Sequence, residues 1–171
     1  ARIRDNLSRL KDTPWAKQAI ESVFVRASML DLMAGRKPRV QSTLDHPKAA
    51  LYRQFLERGE NGFWATLEDK GIVGEASKPA HNVNGSFLDC DPSRDCAKFC
   101  YATKGNYARN VFSVLKSEMI AEAIERNPVR AAEITARNYR GTSEYDNGKA
   151  LRLFDKGDGN ASWVPYIKEL N

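Results

Sequence analysis

Cysteine is scarce in this chain. There are three in 171 residues, at positions 90, 96 and 100, and none elsewhere. An odd and small number excludes a fully paired disulfide framework of the kind that staples small secreted domains, so a reducing compartment is expected. No apolar run approaches the ~18 residues a membrane-crossing helix needs, so no membrane partner is expected. The opening residues Ala1-Arg2-Ile3-Arg4-Asp5 are charged and lack the apolar stretch of a secretion signal. The expected location is therefore the cytoplasm, and the missing initiator Met is read as a start inside a longer product or after processing. There is no internal repeat and no low-complexity tract. A strong excess of one charge is also absent. Lys and Arg total 27 against 22 Asp and Glu, a net charge of +5. The excess leans toward residues 1–80, which hold 14 basic and 10 acidic side chains against 13 and 12 in the remainder. Such a balance permits contact with nucleic acid or another polyanion without demanding it.

What is present suits a globular domain, with 42% hydrophobic and 29% charged residues. Ile3, Leu7 and Leu10 predict a short first helix. Asp12 or Thr13 followed by Pro14 is a helix start, and Trp15, Ala19, Ile20, Val23, Phe24, Ala27, Leu30 and Met33 continue it to Gly35. The segment Arg36-Lys37-Pro38-Arg39 reads as a basic linker. Asp45 and Pro47 open another helix, expected to stop at Gly59, with one more short helical piece around Phe63, Trp64 and Leu67. Residues 1–80 thus read as a helical N-terminal region, and 81–171 as a second, cysteine-bearing domain. In that domain Val83, Ser86, Phe87 and Leu88 predict a strand. A helix of roughly 20 residues starting near Asn106 follows, then a second helix from Pro128. Gly141 to Lys149 reads as a polar loop, Ala150–Phe154 as a strand, and Trp163, Tyr166, Ile167 and Leu170 as a final helix. The expected class is α/β and helix-rich, with a β-α-β unit of an incomplete parallel sheet or partial barrel. Parallel strands collect the loops at their C-terminal ends on one edge. The cysteine loop and the turn Gly157-Asp158-Gly159 are therefore expected side by side.

The chemistry concentrates in Cys90-x5-Cys96-x3-Cys100. Thiolates suit zinc and iron–sulfur clusters. Structural zinc usually uses a C-x2-C pair and four ligands. No such pair exists here, so His81, Asp89 or Asp95 would have to be the fourth. Three cysteines on a four-iron cluster leave one iron open for a cofactor or substrate. That is the arrangement of radical S-adenosylmethionine enzymes, whose common spacing is C-x3-C-x2-C. Buried, unliganded thiols and a catalytic thiolate remain alternatives. Arg94, Lys98, Lys104 and Arg109 make the surroundings basic, which would lower thiol pKa values. Lys104 at the start of the long helix could hold an anion. Gly157 and Asp158 could meet an amine or a ribose hydroxyl, and a plain turn explains them as well.

Cys90…Cys96-Ala97-Lys98-Phe99-Cys100-Tyr101-Ala102…Gly105-Asn106-Tyr107, followed by a long helix and then Leu151-Arg152-Leu153-Phe154-Asp155-Lys156-Gly157-Asp158, resembles the bacteriophage "gene product 88" family over roughly residues 84–171. Where that family often has a histidine before Gly-Asp, this chain has Phe154. The resemblance implies a phage or mobile-element protein, in the host cytoplasm or with the virion, with a cysteine-loop site and no settled reaction. The expected ligands are Cys90, Cys96, Cys100 and His81. Gly157, Asp158 and Lys104 are the expected cofactor contacts. The expected occupant is an iron–sulfur cluster with S-adenosylmethionine, and the alternative is zinc in a non-enzymatic structural or nucleic-acid-associated module with nucleic acid or other phage proteins as partners.

Overall fold

The computed structural model describes residues 2–38, 47–70, 81–104, 111–153 and 159–171, the side chains of Lys48, Lys70, His81 and residues 111–113 excepted. Helix α1 runs Arg2–Arg9, α2 Pro14–Met33, α3 Pro47–Leu56 and α4 Gly59–Lys70. Strand β1, His81–Val83, leads to a 3-10 turn at Phe87–Asp89, a short helix α5 at Arg94–Phe99 and a second 3-10 turn at Tyr101–Thr103. Then come α6, Val111–Arg126, α7, Pro128–Arg140, the one-turn α8, Ser143–Asp146, strand β2, Leu151–Leu153, and α9, Trp163–Leu170.

The helix boundaries follow local chemistry. Thr13 caps α2, its side-chain oxygen accepting from Ala16 N, and Pro14 needs no donor in the first turn. Asn127 and Pro128 repeat the device on α7, with Arg130 N donating to Asn127 Oδ1 at 3.0 Å. The expected strand from Val83 to Leu88 is shorter than its residues suggested. The Ser86 hydroxyl accepts from Leu88 N at 2.9 Å, and this local bond turns the chain out of the extended state. The expected stop near Gly59 holds: α3 ends at Leu56, and Gly59, at φ 74, turns the chain into α4, which opens there. Within the expected polar loop, Thr142 caps the single turn of α8. The predicted helix start at Asn106 and the turn at Gly157-Asp158 lie outside the described residues.

The molecule is helix-rich with a small parallel sheet. β1 and β2 pair in parallel, with His81 opposite Leu151 and Val83 opposite Leu153. The main core joins Val25, Met29 and Leu32 of α2 to Leu56, Phe63 and Trp64 from α3 and α4, Val83, Leu115, Met119 and Ile120 of α6, Ile134 of α7, and Trp163 and Tyr166 of α9. It therefore draws on both sides of residue 80. A second cluster of Leu10, Trp15, Ala16, Ala19, Phe87, Ala97 and Ala102 lies beneath the cysteine segment. Helix α2 serves both clusters, which explains why it is buried along more than one face.

Candidate cofactor site on the cysteine segment

The segment from Ser86 to Lys104 is pinned from below and from one side. Phe87, Ala97 and Ala102 are buried in the second cluster, and Cys90 and Cys100 pack against it. From α1, Arg2 donates to the carbonyl of Asp89 at 2.7 Å, Arg9 to that of Pro92 at 3.2 Å, and Asn6 to that of Cys90 at 3.3 Å and to Asp91 Oδ1 at 3.1 Å. Ser93 caps α5, its hydroxyl accepting from Cys96 N at 3.1 Å. The Thr103 hydroxyl donates to the Cys100 carbonyl at 2.7 Å.

None of the three cysteines forms a disulfide. Cys90 and Cys100 are half-buried and Cys96 is exposed. Burial pushes the Cys100 thiol above its ordinary value. The backbone N–H groups of Ala102 and Thr103 and the Lys104 ammonium oppose that shift, and Cys96 adds to it. The expected lowering of thiol pKa by basic neighbours therefore does not hold at Cys100, because desolvation outweighs Lys104. The effect of Cys96 on the Cys100 thiol marks the two as neighbours. Among the described residues no three His, Cys, Asp or Glu side chains converge on a common metal position. His81 holds its place in β1, and Lys104 is exposed.

Beneath the segment lies a polar cluster that sequence reasoning missed. Glu118 of α6 is fully buried. The Ser86 hydroxyl donates to it, 2.6 Å from Oε1 and 2.9 Å from Oε2. Burial raises the Glu118 pKa to about 7. Ser86, Arg26 and Ser22 favour the ionised form, and Asp89 opposes it. The Ser22 contact is weaker than a hydrogen bond in geometry. Arg26 of α2 sits 3.8 Å from Glu118, 2.7 Å from Glu122 and 2.5 Å from Glu125. Those carboxylates hold its guanidinium pKa above the ordinary value, although burial alone would lower it. The signal was present in the sequence: Glu118, Glu122 and Glu125 recur at helical spacing and share one face.

The end of the chain reaches this cluster. The Asn160 amide donates to Asp89 Oδ1 at 3.0 Å and to Glu125 Oε1 at 3.2 Å. Asn160 thus meets the residue just before Cys90; the Gly157-Asp158 turn expected beside the cysteine loop lies outside the described residues. Asp89 is only 8% exposed, and its Oδ2 is buried without a hydrogen-bond partner among the described residues. The cysteine segment thus has a buried acceptor atom beside it, while its three thiols do not converge on one point among the described residues. Comparison with protein-family models, with curated proteins and with solved structures gave no match.

Proposed function

We propose that the chain is a phage- or mobile-element-associated protein that binds an iron–sulfur cluster through Cys90, Cys96 and Cys100, with S-adenosylmethionine as co-ligand. In this reading β1, α6, α7 and β2 make a β-α-β unit of a larger parallel sheet or partial barrel. The observation that carries the reading is the 3.0 Å hydrogen bond from Asn160 to Asp89. It ties Asn160, beyond β2, to the residue that directly precedes Cys90. Held by three thiolates, a four-iron cluster would leave one iron open to a co-ligand and, once reduced by an external one-electron donor, would supply one electron. The chain's own residues bind and orient. Cys90 and Cys100 give ligands from a partly dry surface, Cys96 gives one from the exposed side, and Asp158 contacts the co-ligand.

The packing of Cys90 and Cys100 on an apolar cluster favours a second reading, zinc with His81 as fourth ligand, closing the segment of a structural or nucleic-acid-associated module. Anaerobic purification, reconstitution with iron and sulfide, and elemental analysis separate the two. Iron and sulfide uptake that is lost in Cys96→Ala supports the cluster. Zinc co-purifying in a one-to-one ratio supports the alternative. Wild type that takes up neither metal contradicts both.

A further inference from the structure

We propose that Phe99 and Tyr101 form a stacking platform for single-stranded nucleic acid, with Arg94, Lys98 and Lys104 receiving its phosphates; this goes beyond the metal readings and stands whether or not the thiols hold an occupant. Phe99 is 62% exposed and Tyr101 55%, which makes them the most exposed aromatic side chains among the described residues. The fold turns them outward together. Ala97 and Ala102 are buried in the second core cluster and Cys100 packs against it, so the rings between them face solvent. The mount is held from several sides. Ser93 caps α5, the Thr103 hydroxyl bonds the Cys100 carbonyl at 2.7 Å, and Arg2, Asn6 and Arg9 of α1 hold residues 89–92. A surface already ordered in this way loses little conformational freedom when a partner lands on it.

The charge around the rings selects the partner. Lys98 Nζ stands 5.2 Å from the centroid of the Phe99 ring, and Arg94 and Lys104 are exposed on the same segment. Helix α1 and residues 90–104 together carry Arg2, Arg4, Arg9, Arg94, Lys98 and Lys104 against the acidic Asp5, Asp91 and Asp95. Arg2 and Arg9 bond backbone carbonyls, which do not cancel their charge. An apolar protein face closing over the two rings would strip water from Lys98 and give it no counter-ion. A polynucleotide supplies a base for each ring and a phosphate for each cation, and every base has a π-face to stack. In a duplex those faces are already stacked on one another, so a single strand fits the platform better.

The test is fluorescence anisotropy with end-labelled oligothymidylate of about 12 nucleotides, begun at about 50 mM salt and repeated as salt is raised. Oligouridylate of the same length distinguishes RNA from DNA, and a duplex of equal length is the third probe. Metal content is measured on the same samples, so this inference and the metal readings fail separately. Wild type is expected to bind a single strand, more weakly as salt rises, and the duplex less tightly. Phe99→Ala and Tyr101→Ala should each weaken binding by about tenfold without lowering the melting temperature. Phe99→Trp should keep the affinity, because it keeps a ring. Lys98→Ala should weaken binding and flatten its salt dependence. Binding of either strand with these losses supports the platform. Affinity unchanged in both aromatic variants, or a duplex bound as tightly as the single strand, overturns it. Binding of neither strand also overturns it and leaves the rings to a protein partner. Should Tyr101→Ala fail to fold, Phe99→Ala and Phe99→Trp, at the more exposed position, decide alone.

Discussion

The residue with the clearest physical signature is Glu118. A carboxyl group with no exposure is held by Ser86 and faced by Arg26, yet desolvation still wins and raises its pKa to about 7. The unfolded chain ionises this group near 4.5, so the folded state holds its proton more tightly. The resulting stability is present below the unfolded value and is lost as pH rises toward 7, by an amount on the order of 3 kcal/mol. Glu118→Gln removes the titration. Its urea midpoint is expected to stay flat between pH 4.5 and 7 while that of wild type falls; parallel slopes in the two proteins would count against the account. The thiols make a second residue-scale prediction. Cys96 is exposed, whereas Cys100 is half-buried with a raised pKa. Iodoacetamide at neutral pH, mapped by mass spectrometry, should modify Cys96 first and Cys100 more slowly. Cys100 reacting first would contradict this order of exposure.

At the scale of elements, the sequence was most legible where one residue settles a boundary. Thr13-Pro14 and Asn127-Pro128 mark helix starts because a cap and a donor-free first position act locally. It was least legible where a side chain or a tertiary approach intervenes. Ser86 turns strand-forming residues into a 3-10 turn by bonding Leu88 N. The α3–α4 corner depends on Gly62, where an added Cβ would stand 2.0 Å from the Phe55 carbonyl oxygen. A helical glycine carries no mark of that approach in the sequence. Gly62→Ala is therefore expected to cost about 3 kcal/mol by forcing the two helices apart. An unchanged denaturation midpoint would show that the corner has room to shift.

At the scale of the whole molecule, β1 and β2 pair in parallel and Asn160, beyond β2, bonds Asp89, while the Gly157-Asp158 turn expected beside the cysteine loop lies outside the described residues. Nothing in composition or periodicity foretold that the N-terminal helices would clamp the same segment. Arg2, Asn6 and Arg9 look like ordinary surface polar residues until α1 is laid across residues 89–92. Long-range contacts of this kind carry no local spacing to read. Asn6→Ala deletes two bonds to the segment, each contributing about 1 kcal/mol. It should speed labelling of Cys90 several-fold and leave the main helical core melting close to wild type. Equal labelling rates would mean that α1 does not restrain the loop. The central claim is that three thiols on this clamped segment bind one iron–sulfur cluster, and anaerobic reconstitution followed by iron and sulfide analysis tests it most directly. The account predicts iron and sulfide bound in wild type, with visible charge-transfer absorbance, and their loss in Cys96→Ala; wild type without iron, or a Cys96→Ala variant that binds as much, would contradict it.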